Sequence, residues 1–162
     1  MSTVRHHAGW VIAVTFVAAL MLTMMPLPEW SRALRPQWVT MVLIYWCMAL
    51  PDRISIGWGW LLGLLLDVAY GSVLGQHALA LTLIAYVVTM FYQRLRLFPR
   101  SQQAIVVAFL IFLQLLVSLW VKGATGAAPD RWSYWLTGFT SALLWPWIFL
   151  LLRDLRRRFQ VT

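Results

Sequence analysis

The stretch GLLLDVAYGSVLGQHALA, residues 63–80, carries one carboxylate, Asp67, in an apolar run. No other acidic or basic side chain occurs in the ten residues before it or the twenty after it, with His77 counted as neutral. What a lone carboxylate does there depends on the solvent around the run, and the rest of the chain decides that solvent.

The chain has 162 residues, a length for one domain, of which 62% are hydrophobic and 11% charged. Ordinary globular proteins have roughly 45–50% and about 25%. Mean hydropathy is +0.75. A water-soluble chain of this size cannot hide so much apolar surface, whereas lipid can act as its solvent. The fold class expected is an all-α integral membrane protein. The net charge of +8 does not point to nucleic acid, because the arginines flank apolar segments instead of forming one solvated face. One cysteine, Cys47, excludes an intramolecular disulfide and a cysteine-based metal site; inside an apolar run it reads as a small buried hydrophobe. Arg5 precedes the first apolar stretch, but Leu27-Pro28-Glu29 lacks the small-x-small cleavage pattern, so that stretch is read as a membrane anchor.

Six apolar segments are predicted to span the bilayer within one multi-pass domain, 1–162, at about 10–25, 36–50, 54–70, 76–92, 102–121 and 132–152. The second is short; it reaches further if it starts near Ala33 with Arg35 snorkelling, and a five-helix chain with that segment re-entrant is the alternative topology. With six spans and both ends cytoplasmic, the inner side holds Arg5, Arg53, Arg94, Arg96, Arg100, Arg153, Arg156, Arg157 and Arg158, against Arg32, Arg35, Lys122 and Arg131 outside. Nine against four fits the positive-inside rule. Trp10, Trp30, Trp38, Trp58, Trp120 and Trp132 fall near span ends, where indoles favour the headgroup level.

Segment three places Gly59, Gly63, Asp67 and Gly71 four apart, hence on one helix ridge. Small residues at that spacing allow a second helix to come close, so the ridge is expected to face protein. Two readings of Asp67 stand side by side. It is a proton or ligand site, or it accepts hydrogen bonds from the free N–H groups where segment four begins, near Gln76 and His77, beside the turn Gly71–Gly75. His77 is read as an interfacial polar residue bonded to that turn, and Asp52 and Arg53 as solvated charges after Pro51. Pro146 is expected to kink the last helix and free the Ala142 carbonyl, with the WPW run at 145–147 a contact surface or plain packing. No phosphate loop, Ser/His/acid set or metal-ligand spacing occurs, so no catalytic, cofactor-binding or metal site is expected.

The run LRPQWVTMVLIYWCMALPDRISIGWGWLLGLLLDVAYGSVLGQHALALTLIAY, residues 34–86, resembles the rod shape-determining MreD family of the bacterial inner membrane. RPxW before segment two, YWxxALPxR at its end and GxxxxLLxDxxxGxxLGxxALA across segments three and four carry the match, in order; the ending LLWPWIFLLLRDLRRRF, residues 143–159, is similar too. The resemblance implies a non-enzymatic subunit of the rod, or elongation, complex, associated with MreC, MreB, RodA and a class B penicillin-binding transpeptidase. It also implies a helical fold similar to the substrate-binding subunits of energy-coupling-factor transporters. That likeness supplies the alternative, a vitamin-type uptake subunit, which the scarcity of polar groups in the spans counts against. The basic tail Arg153, Arg156, Arg157 and Arg158 is read as an orientation signal against anionic lipid or as a contact for MreB.

Overall fold

The computed structural model describes residues 9–25, 28, 37–50, 54, 56–71, 74–124, 126 and 135–158. The early start of the second span near Ala33, the Asp52–Arg53 turn, Trp30, Trp132 and the charges Arg5, Arg32, Arg35 and Arg131 lie outside the described residues.

Among the described residues the chain forms six helices: α1 (Gly9–Met24), α2 (Trp38–Ala49), α3 (Ile56–Tyr70), α4 (Gln76–Leu97), α5 (Arg100–Ala124) and α6 (Leu136–Arg158). Three of them, α4, α5 and α6, with 22, 25 and 23 residues, are long and apolar enough to cross a membrane. The helices α1, α2 and α3 are apolar but shorter, with 16, 12 and 15 residues.

The shortest helix is the centre of the bundle. Every residue of α2 from Val39 to Ala49 is buried, including Trp46 at 0% exposure, and α2 touches each of the other five helices. A helix that is apolar all round has no face for water and belongs inside. Its few polar groups tie it to its neighbours. Trp46 Nε1 donates to Thr15 Oγ1 of α1 (3.0 Å), Thr40 Oγ1 donates to Gln114 Oε1 of α5 (2.7 Å), and the Gln37 N–H donates to Ser141 Oγ of α6 (2.9 Å). In hydrocarbon such groups have no water to turn to, so pairing between helices is the way they are satisfied. The outer surface is apolar as well: Val68, Leu97, Leu143 and Trp147 are 71–84% exposed. Long apolar helices with an apolar exterior are those of a membrane protein.

At the other end of α2 an arginine takes up backbone carbonyls. The helix α4 runs past the apolar stretch and stops where Phe98, extended at φ −74° and ψ 142°, precedes Pro99. This extra turn brings Arg96 beside the C-terminus of α2, where its Nε donates to the Met48 carbonyl (2.7 Å) and its guanidinium Nη2 to the Ala49 carbonyl (2.8 Å), with the Tyr92 ring 5.0 Å beneath it. Those carbonyls have no partner within their own helix. Gln103 Nε2 likewise donates to Leu95 O at the end of α4 (2.8 Å). Arg96→Leu is therefore expected to lose about 1 kcal/mol, seen as a fall of about 2–4 °C in the unfolding midpoint in detergent. Arg96→Lys, which lacks the planar fork, should recover only part of that.

Candidate functional site

The site is built where α3 turns back into α4. On α3, Gly59, Gly63 and Asp67 are buried along one ridge. A Cβ on Gly59 would stand 2.7 Å from the Leu81 carbonyl oxygen and 3.0 Å from the Ala85 Cβ. One on Gly63 would stand 2.6 Å from the His77 carbonyl carbon and closer still to the backbone of Ala78. The two helix backbones touch here, with the small, buried residues Ala78 and Ala85 on the α4 side. Gly71 does not extend this ridge. It lies past the end of α3, exposed, with φ +64° and nothing within 4 Å of the place a Cβ would take. Its part is to close the helix in the left-handed conformation that glycine adopts without steric cost. Gly75 has φ +101° at the N-cap of α4.

A glycine N-cap has no side chain with which to cap, and Asp67 supplies the carboxylate from the neighbouring helix. Its Oδ2 accepts from the Gly75 N–H (2.8 Å) and, at 3.5 Å, from the Ala78 N–H; its Oδ1 accepts from the His77 N–H (2.9 Å) and the His77 ring Nδ1 (2.8 Å). The Asp67 side chain is 0% exposed and that of His77 15%. An anion at the positive end of α4, with donors on both oxygens, answers both the orphan N–H groups and the dipole of that helix. Because the carboxylate oxygen accepts, His77 carries its proton on Nδ1, and its ring stacks on Tyr70 with centroids 5.3 Å apart.

Beside this turn lies a cavity of about 340 Å³, lined by Gln37, Gln76, Gln114, Ser118 and Lys122 together with His77, Tyr70 and Leu115. The scarcity of polar groups along the spans counts against an uptake subunit, yet the few there are, thinly spread in the chain, converge from the start of α2 and from α4 and α5 at one end of the bundle. Gln76 is 3% exposed and its Nε2 meets no acceptor among the described residues.

The remaining sequence candidates sit elsewhere. Pro146 lies within α6, which continues through it, between Trp145 at 0% and Trp147 at 76% exposure. One indole of the WPW run packs inside and the other faces out. The four tail arginines are not equivalent. Arg158 pairs with Asp154 (3.1 Å) on the exposed face, whereas Arg156 lies near the buried Tyr45 phenol of α2. Two tight spots lay beyond the reach of spacing arguments. One is Arg96 on the α2 carbonyls; the other is Gly138, where a Cβ would come within 2.8 Å of the Phe112 ring.

Comparison with known proteins places the chain. The family model for the rod shape-determining protein MreD matches residues 4–155. The rod shape-determining protein MreD of Haemophilus influenzae is 40% identical over 143 residues, covering 88% of each chain. No solved structure matches. The match takes in all six helices and the Asp67 turn nearly end to end, and on that ground the chain belongs to the MreD family.

Proposed function

We propose that the chain is a non-enzymatic subunit of the rod, or elongation, complex of the bacterial inner membrane. It holds MreC and, through the complex, MreB, RodA and a class B penicillin-binding transpeptidase, and so keeps peptidoglycan synthesis in a rod pattern. The observation that supports the reading is the family match over residues 4–155. Affinity capture of the tagged chain from native membranes tests it: MreC is expected among the co-purified subunits, and its absence from extracts that retain folded chain would count against the proposal.

The proposed topology is six spans in one domain, with both termini cytoplasmic. The helix α2 serves as a ruler. Lys122, His77 and Gln76 gather at its Gln37 end, and Arg96 and Arg156 at its Tyr45–Ala49 end. The arginine-rich end is assigned to the cytoplasm. Reporter fusions at Gly75 should read as external, and those at Arg100 and the C-terminus as internal; an external C-terminus would contradict the assignment. At that inner end each basic residue near an anionic surface contributes about 1 kcal/mol. If charge alone matters, changing Arg153, Arg156, Arg157 and Arg158 together to Lys should leave cell shape intact. Loss of shape with normal protein level would instead favour a docking surface for MreB that uses the guanidinium fork.

A second reading, a vitamin-type uptake subunit with a fold like that of energy-coupling-factor substrate-binding subunits, draws on the polar cavity beside Asp67. Capture of an ATP-hydrolysing coupling module in place of MreC would favour it.

A further inference from the structure

We propose that the cavity at the Gln37 end of the bundle binds a phosphate group, presented by a lipid headgroup or by a small soluble phosphate ester. The wall is rich in donors: the amides of Gln37, Gln76 and Gln114, the Ser118 hydroxyl and the Lys122 ammonium. The Gln114 amide oxygen is committed to the Thr40 hydroxyl (2.7 Å), so N–H is what that side chain has left to offer. Gln76, 3% exposed, holds an Nε2 with no acceptor among the described residues, although its side chain lines the cavity. An unmet buried donor is destabilising, and the Nε2, closed off from solvent as the side chain stands, reaches an acceptor in the cavity when the side chain turns toward it.

Charge points the same way. Two helix N-termini lie beside the cavity, α2 at Gln37 and α4 at Gln76, and the Gln37 side chain makes no capping bond to α2. The α4 end is already met by the Asp67 carboxylate; the α2 end presents the positive end of its helix dipole. The oxygens of the neighbouring carboxylate, Asp67, are bonded to Gly75, His77 and Ala78. Among the residues that line the space, Lys122 is the one with a fixed positive charge. A volume of about 340 Å³ lies at the small end of ligand pockets, with room for a phosphate and a short ester substituent.

The test uses the purified full chain in a neutral detergent, with thermal unfolding followed by tryptophan fluorescence. It is titrated with inorganic phosphate and, separately, with dihexanoylphosphatidylglycerol, each against sodium chloride of equal ionic strength. A rise in midpoint of about 3–6 °C is expected at ten times the dissociation constant. A rise with both probes, or with phosphate alone, assigns the site to the phosphate group itself; a rise with the lipid alone assigns it to a headgroup. Without ligand, Gln76→Leu should unfold at or above the wild-type midpoint, since it removes a buried unmet donor, yet lose the ligand shift. Lys122→Gln should weaken binding at least tenfold and decides alone if Gln76→Leu does not accumulate. No shift with either probe, or a shift that survives the substitutions, overturns the proposal.

Discussion

Gly63→Leu is expected to abolish accumulation of the chain in the membrane, and Gly63→Ala to reduce it several-fold. The reason is backbone contact. At Gly63 the space for a Cβ is taken by the His77 carbonyl carbon at 2.6 Å and by the Ala78 backbone, none of which can swing aside as a side chain can. Relief requires that α3 and α4 separate, and separation stretches every bond that Asp67 makes across the turn. Overpacking of a tight core costs about 1–3 kcal/mol, and more where backbone must move. In a membrane, where helices gain little from hydrophobic exclusion, close packing is a large part of what holds them together. The control is Gly57→Ala on the same helix, with nothing within 4 Å. It should be neutral or slightly stabilising through helix propensity. Immunoblots of the membrane fraction, with size-exclusion profiles of detergent extracts, read both outcomes. Equal levels for Gly63→Ala and Gly57→Ala would contradict the close approach.

Asp67→Leu should be nearly as damaging. It leaves the N–H groups of Gly75, His77 and Ala78 and the His77 ring without their acceptor, each buried donor costing about 1–3 kcal/mol. Asp67→Asn keeps one acceptor oxygen but turns an NH₂ group toward donors on the other side, because both carboxylate oxygens are in use. An intermediate level in the membrane is expected, between wild type and Leu. If Asn instead leaves the level normal and removes function, the carboxylate has a proton or ligand role beyond holding the turn. A normal level and normal function with Leu would contradict both roles.

How much of this was legible in the sequence differs from residue to residue. Gly59, Gly63 and Asp67 could be placed on one ridge because i, i+4 spacing is a local property, and a lone carboxylate in an apolar run has few ways to be satisfied. The same spacing misled at Gly71, since periodicity does not register where a helix stops; only the φ of +64° does. Arg96 looked like an orientation charge. Its partners are the carbonyls of Met48 and Ala49, a chemistry that every residue carries and that no sequence pattern marks. The polar cavity was hidden for a related reason. Gln37 and Gln76 stand far in the chain from each other and from Gln114, Ser118 and Lys122, and only the packing of α2, α4 and α5 makes them neighbours. Cys47 shows the opposite case: read as a small buried hydrophobe inside an apolar run, it is fully buried in α2, whose place at the centre of the bundle its short length did not reveal.

The central claim, a membrane subunit that maintains rod shape, is tested most directly by the shape of cells that lack the chain. In a rod-shaped host depleted of it, cells are expected to round up and to regain rod form when the wild-type chain is restored. The Gly63→Leu and Asp67→Leu variants should fail to restore it, in step with their loss from the membrane. Rods that persist through complete depletion, with wild-type width and length, would contradict the claim.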